Sequence, residues 1–290
     1  MIVSFHPIIA GDKNIICAGR DPGPKEADAI KTADAVILPQ GCRCSLYEMA
    51  AAGCRHVFPD YCARFRFPGK TGQTKLFSHF DLPHPRTRTF ACLSEFHDQT
   101  GLPPKYSVFD FPLVFKFDWG GEGDTVARVD SADALENILE KTATWERAGQ
   151  AGFLIQEFIP TDGRSLRVAV IGTRRFSYWR VPPDSGGFGT ALAKGAIIDA
   201  DSDPHLQAAG IATANRLCEK TGINLAGIDL IFPEPPQTPE PQLLEINYFF
   251  GRTGIGGSEQ YYQILQSEVK KWLKQINVVP EKPRKNRLHL

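Results

Sequence analysis

The spacing of the apolar positions divides the chain into three regions. In the first region, short apolar runs alternate with helix-like stretches, the runs at 14–18, 34–39 and 56–58 and the stretches at 25–33 and 45–52. Such alternation is typical of a small open α/β unit with parallel strands. A Pro- and Gly-rich break at 67–70 ends the pattern. We therefore predict an N-terminal α/β domain over residues 1–75.

The second region predicts a hairpin between two helices. A helix-like piece at 71–80 and an apolar run at 89–92 precede two further runs, 111–117 and 125–129, which a glycine loop joins. Two apolar runs joined by glycines indicate a β-hairpin. Apolar residues then recur at helical spacing from Leu135 to Trp145, which predicts an amphipathic helix. This subdomain is expected over residues 76–151.

The third region is rich in strands. Apolar runs at 153–158, 165–171 and 176–181 precede a helix that is expected to begin with Asp203 as its cap and to end at Gly222. Two more strands follow at 225–232 and 242–247, separated by a proline-rich tip at 233–241. A last helix at 258–276 completes the region. We predict a subdomain over residues 152–278 and a disordered basic tail over residues 279–290. The overall class is mixed α/β and α+β.

Composition limits the partners. The 290 residues include 33 Lys plus Arg and 33 Asp plus Glu, so the formal net charge is zero. No global field therefore favours nucleic acid or an anionic membrane. The N-terminus lacks a signal-peptide pattern and no apolar run approaches the roughly 18 residues of a membrane-spanning helix, so we expect a cytoplasmic protein. The seven cysteines, including the cluster of Cys42, Cys44, Cys54 and Cys62, lack the paired spacing of zinc sites and are expected to be reduced thiols.

Three oxygen-bearing side chains predict a metal site. In a strand, Glu245 and Asn247 project to one face while Leu244 and Ile246 pack on the other. If Asp229 comes from a neighbouring strand, three hard oxygen ligands converge. Mg²⁺ prefers such ligands and leaves other positions to water and phosphates, with Mn²⁺ as an alternative ion. This pattern favours an enzyme that uses a nucleotide.

Four features occur in an order that resembles a known family. They are Lys116 on an apolar strand, the glycine loop at 120–123, the segment 155–159 and the set formed by Asp229, Glu245 and Asn247. Together they resemble the ATP-grasp superfamily, especially the branch of the ribosomal-protein glutamate ligases and glutathione-synthetase-like enzymes. The resemblance covers residues 70–257. It implies an ATP-grasp fold, in which two α+β subdomains enclose ATP. The small N-terminal domain precedes this fold in the chain.

The resemblance also implies residue roles. The residues matching ATP contacts are Lys70, Lys116, Gly120, Gly121, Gly123, Gln156, Glu157, Phe158, Ile159 and Asp162, with Lys75 as the alternative to Lys70. Those matching catalytic basic groups are Lys116, Arg167, Arg180, Lys194 and Arg252, and those matching metal ligands are Asp229, Glu245 and Asn247. The chain departs from the family in having Ser165 where an acidic residue is common, Ala191 where related ligases have asparagine, and Tyr-Phe-Phe-Gly at 248–251 instead of a small-residue turn. Recognition of the acceptor is therefore expected to differ.

The expected activity is ATP-dependent ligation of a carboxylate to an amine or a thiol through an acyl-phosphate. Substrates would be small-molecule or peptide carboxylates and amines, with ATP and Mg²⁺ as cofactors and without nucleic acid or membrane; a homo-oligomer is compatible with the sequence. Two alternatives remain open at this point. One is a phosphotransferase on the same fold, and the other is a catalytically silent nucleotide-binding regulatory protein.

Overall fold

Three β-sheets organise the part of the chain that the computed structural model describes, which comprises residues 1–101, 108–120, 124–183, 189–234 and 240–278. We call them the N-terminal, central and large sheets. The N-terminal sheet is parallel and the other two are antiparallel. The mixed α/β and α+β class predicted from the apolar pattern is confirmed.

The N-terminal sheet has the strand order β2-β1-β3-β4. Its elements are β1 (Ile2–Ser4), β2 (Lys13–Asn14), α1 (Pro24–Lys31), β3 (Ala35–Ile37), α2 (Cys44–Gly53), β4 (Val57–Phe58) and α3 (Cys62–Arg66). The run at 14–18 forms only the end of β2, and Ile16 is 56% exposed. The central strand β1 was not among the predicted runs.

The central sheet has the order β5-β8-β6-β7. Its elements are α4 (Gly69–His79), β5 (Thr87–Phe90), α5 (Leu93–Thr100), β6 (Leu113–Phe117), β7 (Val126–Val129), α6 (Ala132–Arg147) and β8 (Phe153–Glu157). Phenylalanines fill its core, and the rings of Phe115 and Phe153 stack with centroids 5.0 Å apart. Because β8 pairs with β5 and β6, the predicted boundary between residues 151 and 152 falls inside this sheet.

The large sheet has the order β11-β10-β9-β12-β13. Its elements are β9 (Ser165–Ile171), β10 (Arg174–Val181), β11 (Ile197–Asp199), α7 (Pro204–Thr221), β12 (Leu225–Ile231), β13 (Gln242–Asn247) and α8 (Gly257–Gln275). Every residue of β9 is buried. Leu166, Val168 and Val170 belong to the core under α7, whereas Ala169 and Ile171 belong to the core that contains α8. Because side chains alternate along a strand, Arg167 lies on the same face as Ala169.

A β-bulge changes one prediction about β13. Asp229 pairs with Glu245, but the next residue, Leu230, pairs with Leu243, so Leu244 is the extra residue. A bulge re-aims the side chains around it. Leu244 consequently lines the same cleft as Glu245, and the prediction that it packs on the opposite face is wrong.

The ends of α7 are only partly as predicted. Asp203 precedes the helix, but its φ is 48° and its side chain makes no cap hydrogen bond; instead it accepts a 2.6 Å hydrogen bond from Arg164 Nη2. Gly222 ends the helix with a φ of 77°, as predicted. The tail at 279–290 and most of the proline-rich tip lie outside the described residues. Among the helices that the structure describes, none has the length and apolar content needed to cross a bilayer.

Candidate active site

A cleft of about 560 Å³ lies between the central and large sheets. The central sheet contributes residues from β6, β7 and β8, and the large sheet contributes residues from β9, β10, β12 and β13. Helix α4 adds Lys70. Of the predicted site residues, eleven line this cleft: Lys70, Lys116, Gln156, Glu157, Phe158, Ile159, Arg167, Arg180, Asp229, Glu245 and Asn247.

Strand register places a row of polar side chains across the large sheet. Tyr178 on β10 is paired with Arg167 on β9, Arg167 with Asp229 on β12, and Asp229 with Glu245 on β13. Residues directly opposite each other in antiparallel strands project to the same face. The four side chains therefore form one line on the cleft face of the sheet, which we call the charged row.

Asp229 is the most densely paired member of the charged row. Arg167 donates hydrogen bonds to both carboxylate oxygens, from Nε to Oδ1 and from Nη2 to Oδ2 at 2.9 Å. Arg180 Nη2 and Asn247 Nδ2 approach Oδ2 at 2.9 and 3.0 Å. Burial alone would raise the pKa of Asp229, but the charges of Arg167 and Arg180 outweigh burial and lower it. Asp229 is therefore an ionised carboxylate.

The charges of Glu245 and Lys116 are less compensated by neighbouring charges than the charge of Asp229. Burial, and then repulsion from Asp229, raises the pKa of Glu245, although Lys70 and Lys116 oppose the shift. Burial lowers the pKa of Lys116 to about 8, against the attraction of Glu245 and with added repulsion from Lys70. Among the described residues neither side chain has an ion-pair partner within 4.0 Å. An anionic ligand beside Lys116 and a cation beside Glu245 would relieve both penalties.

Lys70 connects α4 to the start of the glycine loop. Its Nζ donates to the backbone oxygens of Trp119 at 3.4 Å and Gly120 at 3.1 Å. The carboxylate of Asp118 accepts the Thr71 amide at 2.7 Å, and an added Cβ on Gly69, which has a φ of 69°, would lie 2.5 Å from that carboxylate. Glycine is thus required where the helix meets the loop.

One end of the cleft is apolar. Val114 and Leu154 from the central sheet line it, together with Ile231 and Leu244 from the large sheet. On the adjoining strand, the side chain of Glu157 accepts hydrogen bonds from Arg86 at 2.6 and 2.7 Å, and Gln156 Nε2 donates to Thr87 Oγ1 at 2.8 Å. These bonds hold the last two residues of β8. A flat heterocycle fits between two apolar walls of this kind.

The donor set fits a divalent cation and a polyphosphate. Asp229, Glu245 and Asn247 are hard oxygen donors suited to Mg²⁺, although Asp229 is engaged by two arginines. Arg180 Nε is buried without a hydrogen-bond partner within the described residues, and such a donor favours an acceptor oxygen from a ligand. No group of three or more His, Cys, Asp or Glu side chains in the described ranges is placed to hold a metal, so the third ligand would be Asn247.

Six predicted residues are not placed in the cleft. Gly120 lies beside it and accepts the Lys70 hydrogen bond. Asp162 is paired with Arg164. The guanidinium of Arg252 lies over Tyr261 and Tyr262, at 4.5 and 4.6 Å from the ring centroids. Gly121 and Gly123 are outside the described residues, as is the side chain of Lys194. The roles of all these residues stay predictions.

Sequence reasoning missed several cleft residues with polar groups, of which Arg128, Arg164 and Tyr178 are the largest. Arg128 lies two positions after Val126, so the alternation along β7 could have revealed it. Arg164 is paired with Asp162 and Asp203, and its guanidinium lies 4.0 Å from the Trp179 ring centroid. Tyr178 is only 1% exposed, and burial raises its pKa. Neither Arg164 nor Tyr178 carried a signal, since both depend on contacts between distant segments.

A sequence model described as the RimK-like ATP-grasp domain matches residues 75–266. The chain belongs to this family. The match begins within α4 and ends within α8, so it includes the charged row and both faces of the cleft. The ATP-grasp fold inferred from the four ordered motifs is thereby confirmed.

Two curated relatives carry names that describe ligases. The α-aminoadipate–LysW ligase LysX of Saccharolobus solfataricus is 27% identical over 137 residues, which cover 47% of this chain and 48% of the relative. A probable alpha-L-glutamate ligase 1 of Shewanella denitrificans is 27% identical over 150 residues, which cover 51% and 47%. The chain thus spans about half the length of the curated relatives that it matches.

Structural similarity extends over most of this RimK-like ATP-grasp chain. The crystal structure of a RimK domain ATP-grasp protein from Sphaerobacter thermophilus matches with a TM-score of 0.58 and 17% identity, covering 92% of this chain and 98% of that one. At this identity the similarity concerns the fold. It includes the N-terminal sheet, because the alignment covers more than the family match alone.

Proposed function

We propose that the chain is an ATP-dependent ligase that joins a carboxylate to an amine and requires Mg²⁺ or Mn²⁺. One observation carries the proposal: Lys70 and Lys116 converge with Asp229, Glu245 and Asn247 in one cleft, next to Arg167 and Arg180. Phosphoryl transfer requires positioning and charge neutralisation more than a covalent nucleophile. The ligase names of the two curated relatives support the same reaction class.

The nucleotide would lie along the cleft with its base at the apolar end. Val114 and Leu154 would contact one face of the base and Ile231 and Leu244 the other. When bound, ATP supplies the γ-phosphoryl group that activates the carboxylate as an acyl-phosphate, from which the amine then displaces phosphate. Lys116 would contribute a positive charge beside the transferred group, and removal of water from the cleft would strengthen that contact.

The large sheet would hold the metal and the carboxylate substrate. Asp229, Glu245 and Asn247 would bind Mg²⁺ between the phosphates, and Arg167 and Arg180 would orient the carboxylate or the transferred phosphoryl group. The bidentate geometry of arginine suits both groups. Ser165, which stands where the family often has an acidic residue, accepts a 3.0 Å hydrogen bond from Arg180 Nη2 and lies 2.5 Å from Thr190 Oγ1. This hydroxyl pair would hold Arg180 in place.

The division of the chain remains a proposal as well. The predicted boundary at residues 75 and 76 falls inside α4 (Gly69–His79) and the one at 151 and 152 separates β8 from its sheet. We therefore propose an N-terminal domain that ends before α4 and two ATP-grasp subdomains that meet after Glu157. Sheet pairing supports the second boundary, because β8 belongs to the central sheet and β9 belongs to the large sheet.

Nucleotide turnover tests the proposed function. ADP and free phosphate should form only when Mg²⁺, a carboxylate and an amine are present together, and Lys116→Ala should abolish this turnover. Lys141→Ala, which changes an exposed lysine on α6, should leave it unchanged. Formation of ADP without free phosphate would indicate a phosphotransferase instead, and turnover that ignores the amine would contradict the ligase.

A further inference from the structure

We propose that the cleft binds a carboxylic acid substrate with an apolar side chain, and that Phe249 is the residue that recognises this side chain. The proposal rests on the ligase function proposed above and deepens it by naming a substrate class. It concerns the end of the cleft opposite the predicted base site. We call this end the acyl end and define it by three lining residues, Phe249, Phe250 and Gly251.

Strand register separates the acyl end from the base end. Ile231 and Leu244 lie on the hairpin-tip side of the pair formed by Asp229 and Glu245. Asn247 is paired with Gly227 on the other side of that pair, and residues 249–251 follow it. The charged row therefore lies between the two ends, and a substrate at the acyl end would meet the phosphate end of the nucleotide.

The acyl end lies next to the charged row. A Cβ built on Gly227 would lie 2.8 Å from Phe250 Cβ and 2.9 Å from Arg167 Nη1. Phe250 and the Arg167 guanidinium thus both lie over Gly227. We call residues 248–250 the aromatic segment. A carboxylate held by Arg167 would place the rest of its molecule against this segment. A Cβ on Gly251 would meet no described atom within 4 Å, so there is space beside it.

Phe249 is exposed but held in place. Its side chain is 60% exposed, whereas Phe250 beside it is 8% exposed and packs edge-on against Tyr261. A Cβ on Gly41 in the N-terminal domain would lie 2.7 Å from Phe249 Cζ, and the guanidinium of Arg64 lies 5.5 Å from the ring centroid. A large apolar ring fixed at the wall of a cleft offers contact area to a ligand without being required for the core.

The charges of the acyl end do not suit a second carboxylate. Arg167 and Arg180 are already paired with Asp229 and face the reacting carboxylate. Arg64 does not line the cleft; its guanidinium lies over Tyr61, Phe65 and Tyr248 as well as Phe249, and its Nη1 donates to Gln40 O at 3.1 Å. Arg64 is thus a cation near Phe249, but its guanidinium is engaged by aromatic rings and by Gln40 O. A glutamate side chain at Phe249 would therefore gain no unengaged cation from the three residues that define this end.

This substrate class separates the chain from the relatives it resembles. Those relatives are named for glutamate and α-aminoadipate, whose side chains carry a second carboxylate. Here the aromatic residues at 248–250 follow Asn247, and Phe249 and Phe250 line the cleft. Leucine, methionine and phenylalanine side chains are complementary to such a surface.

ADP release from the full chain with MgATP tests the proposal, with hydroxylamine as a small nucleophile that captures an acyl-phosphate. We expect kcat/KM for leucine or methionine to exceed that for glutamate and α-aminoadipate by about tenfold or more, the scale of discrimination that an apolar pocket provides. A higher kcat/KM for glutamate would overturn the substrate class while leaving the ligase function intact. No ADP release with any acid would contradict the ligase function itself, and the substrate class with it.

Variants of Phe249 test the recognising residue. Phe249→Ala should lower kcat/KM for leucine about tenfold more than for alanine, and Phe249→Leu should restore most of the loss. Ile16→Ala removes another exposed apolar side chain, 56% exposed and outside the cleft, and should change neither value. Equal losses for leucine and alanine in Phe249→Ala, with an unchanged melting temperature, would contradict a role in recognition.

Discussion

The two sheets that face each other across the cleft present their charges differently. The large sheet holds Asp229 in a network with Arg167, Arg180 and Asn247 before any ligand arrives. The central sheet presents Lys116, which in the described part of the chain has no ion-pair partner and whose pKa burial lowers to about 8. The difference indicates that the large and central sheets have different roles. We propose that the paired network contributes to folding stability and that Lys116 would gain its partner from a bound ligand.

The largest effect is expected from Arg167→Leu. Arg167 and Asp229 are 6% and 4% exposed, so the change leaves a buried carboxylate with only Arg180 and Asn247. Removing one partner of a buried ion pair costs about 3–5 kcal/mol, which urea unfolding would measure. The double variant Arg167→Leu/Asp229→Leu should recover part of that loss, because no charge is left unpaired. A loss below about 1 kcal/mol in the single variant would show that the network does not stabilise the fold.

Lys116→Met should separate ligand binding from folding. The free energy of unfolding should stay within about 1 kcal/mol of the parent or increase, because a poorly compensated charge is removed. The Kd for an ATP analogue should rise at least about tenfold, because a charge-assisted contact to phosphate is lost. Calorimetric titration beside urea unfolding measures both, with Lys141→Met as the exposed control. Reduced stability with unchanged Kd would reverse the roles assigned to the two sheets.

The stability contribution of Lys116 should depend on pH. Its folded pKa of about 8 lies below the value of 10.5 for a free lysine, so between these values the unfolded chain binds more protons than the folded chain. Stability therefore rises with pH in this window. The unfolding free energy of the parent relative to Lys116→Met should increase between pH 8 and 10.5 by on the order of 1 kcal/mol. A difference that does not change with pH would contradict the shifted pKa.

A smaller effect is expected where hydroxyl groups support the network. Thr190→Val removes the hydroxyl that lies 2.5 Å from Ser165 Oγ, the acceptor of Arg180. Loss of one such hydrogen bond costs roughly 0.5–1.5 kcal/mol. We expect a severalfold loss of kcat with an almost unchanged Kd for the ATP analogue. If the Kd rose more than kcat fell, the hydroxyl pair would instead belong to nucleotide binding.

The sequence predicted the parts of the site that follow from local periodicity. Glu245 and Asn247 share a face because they are two residues apart on β13, and Asp229 joins them because β12 pairs with β13. Leu244 departs from this rule because the bulge adds a residue, and a bulge has no period of its own. The pair of Arg167 and Asp229 spans 62 positions of the chain, so only the folded register brings it together. Short elements such as β1, β11 and α3 escaped prediction, whereas the equally short β3 and β4 were predicted because they lie in an alternation of apolar runs with helix-like stretches.

A crystal structure of the protein with Mg²⁺ and a non-hydrolysable ATP analogue tests the central claim most directly. We expect the base between Val114 and Leu154 on one side and Ile231 and Leu244 on the other, with the metal on Asp229, Glu245 and Asn247 and phosphate oxygens beside Lys116. Arg167 and Arg180, which are paired with Asp229, should then contact the bound ligand. A nucleotide bound away from Lys116 and Glu245 would contradict the proposed site.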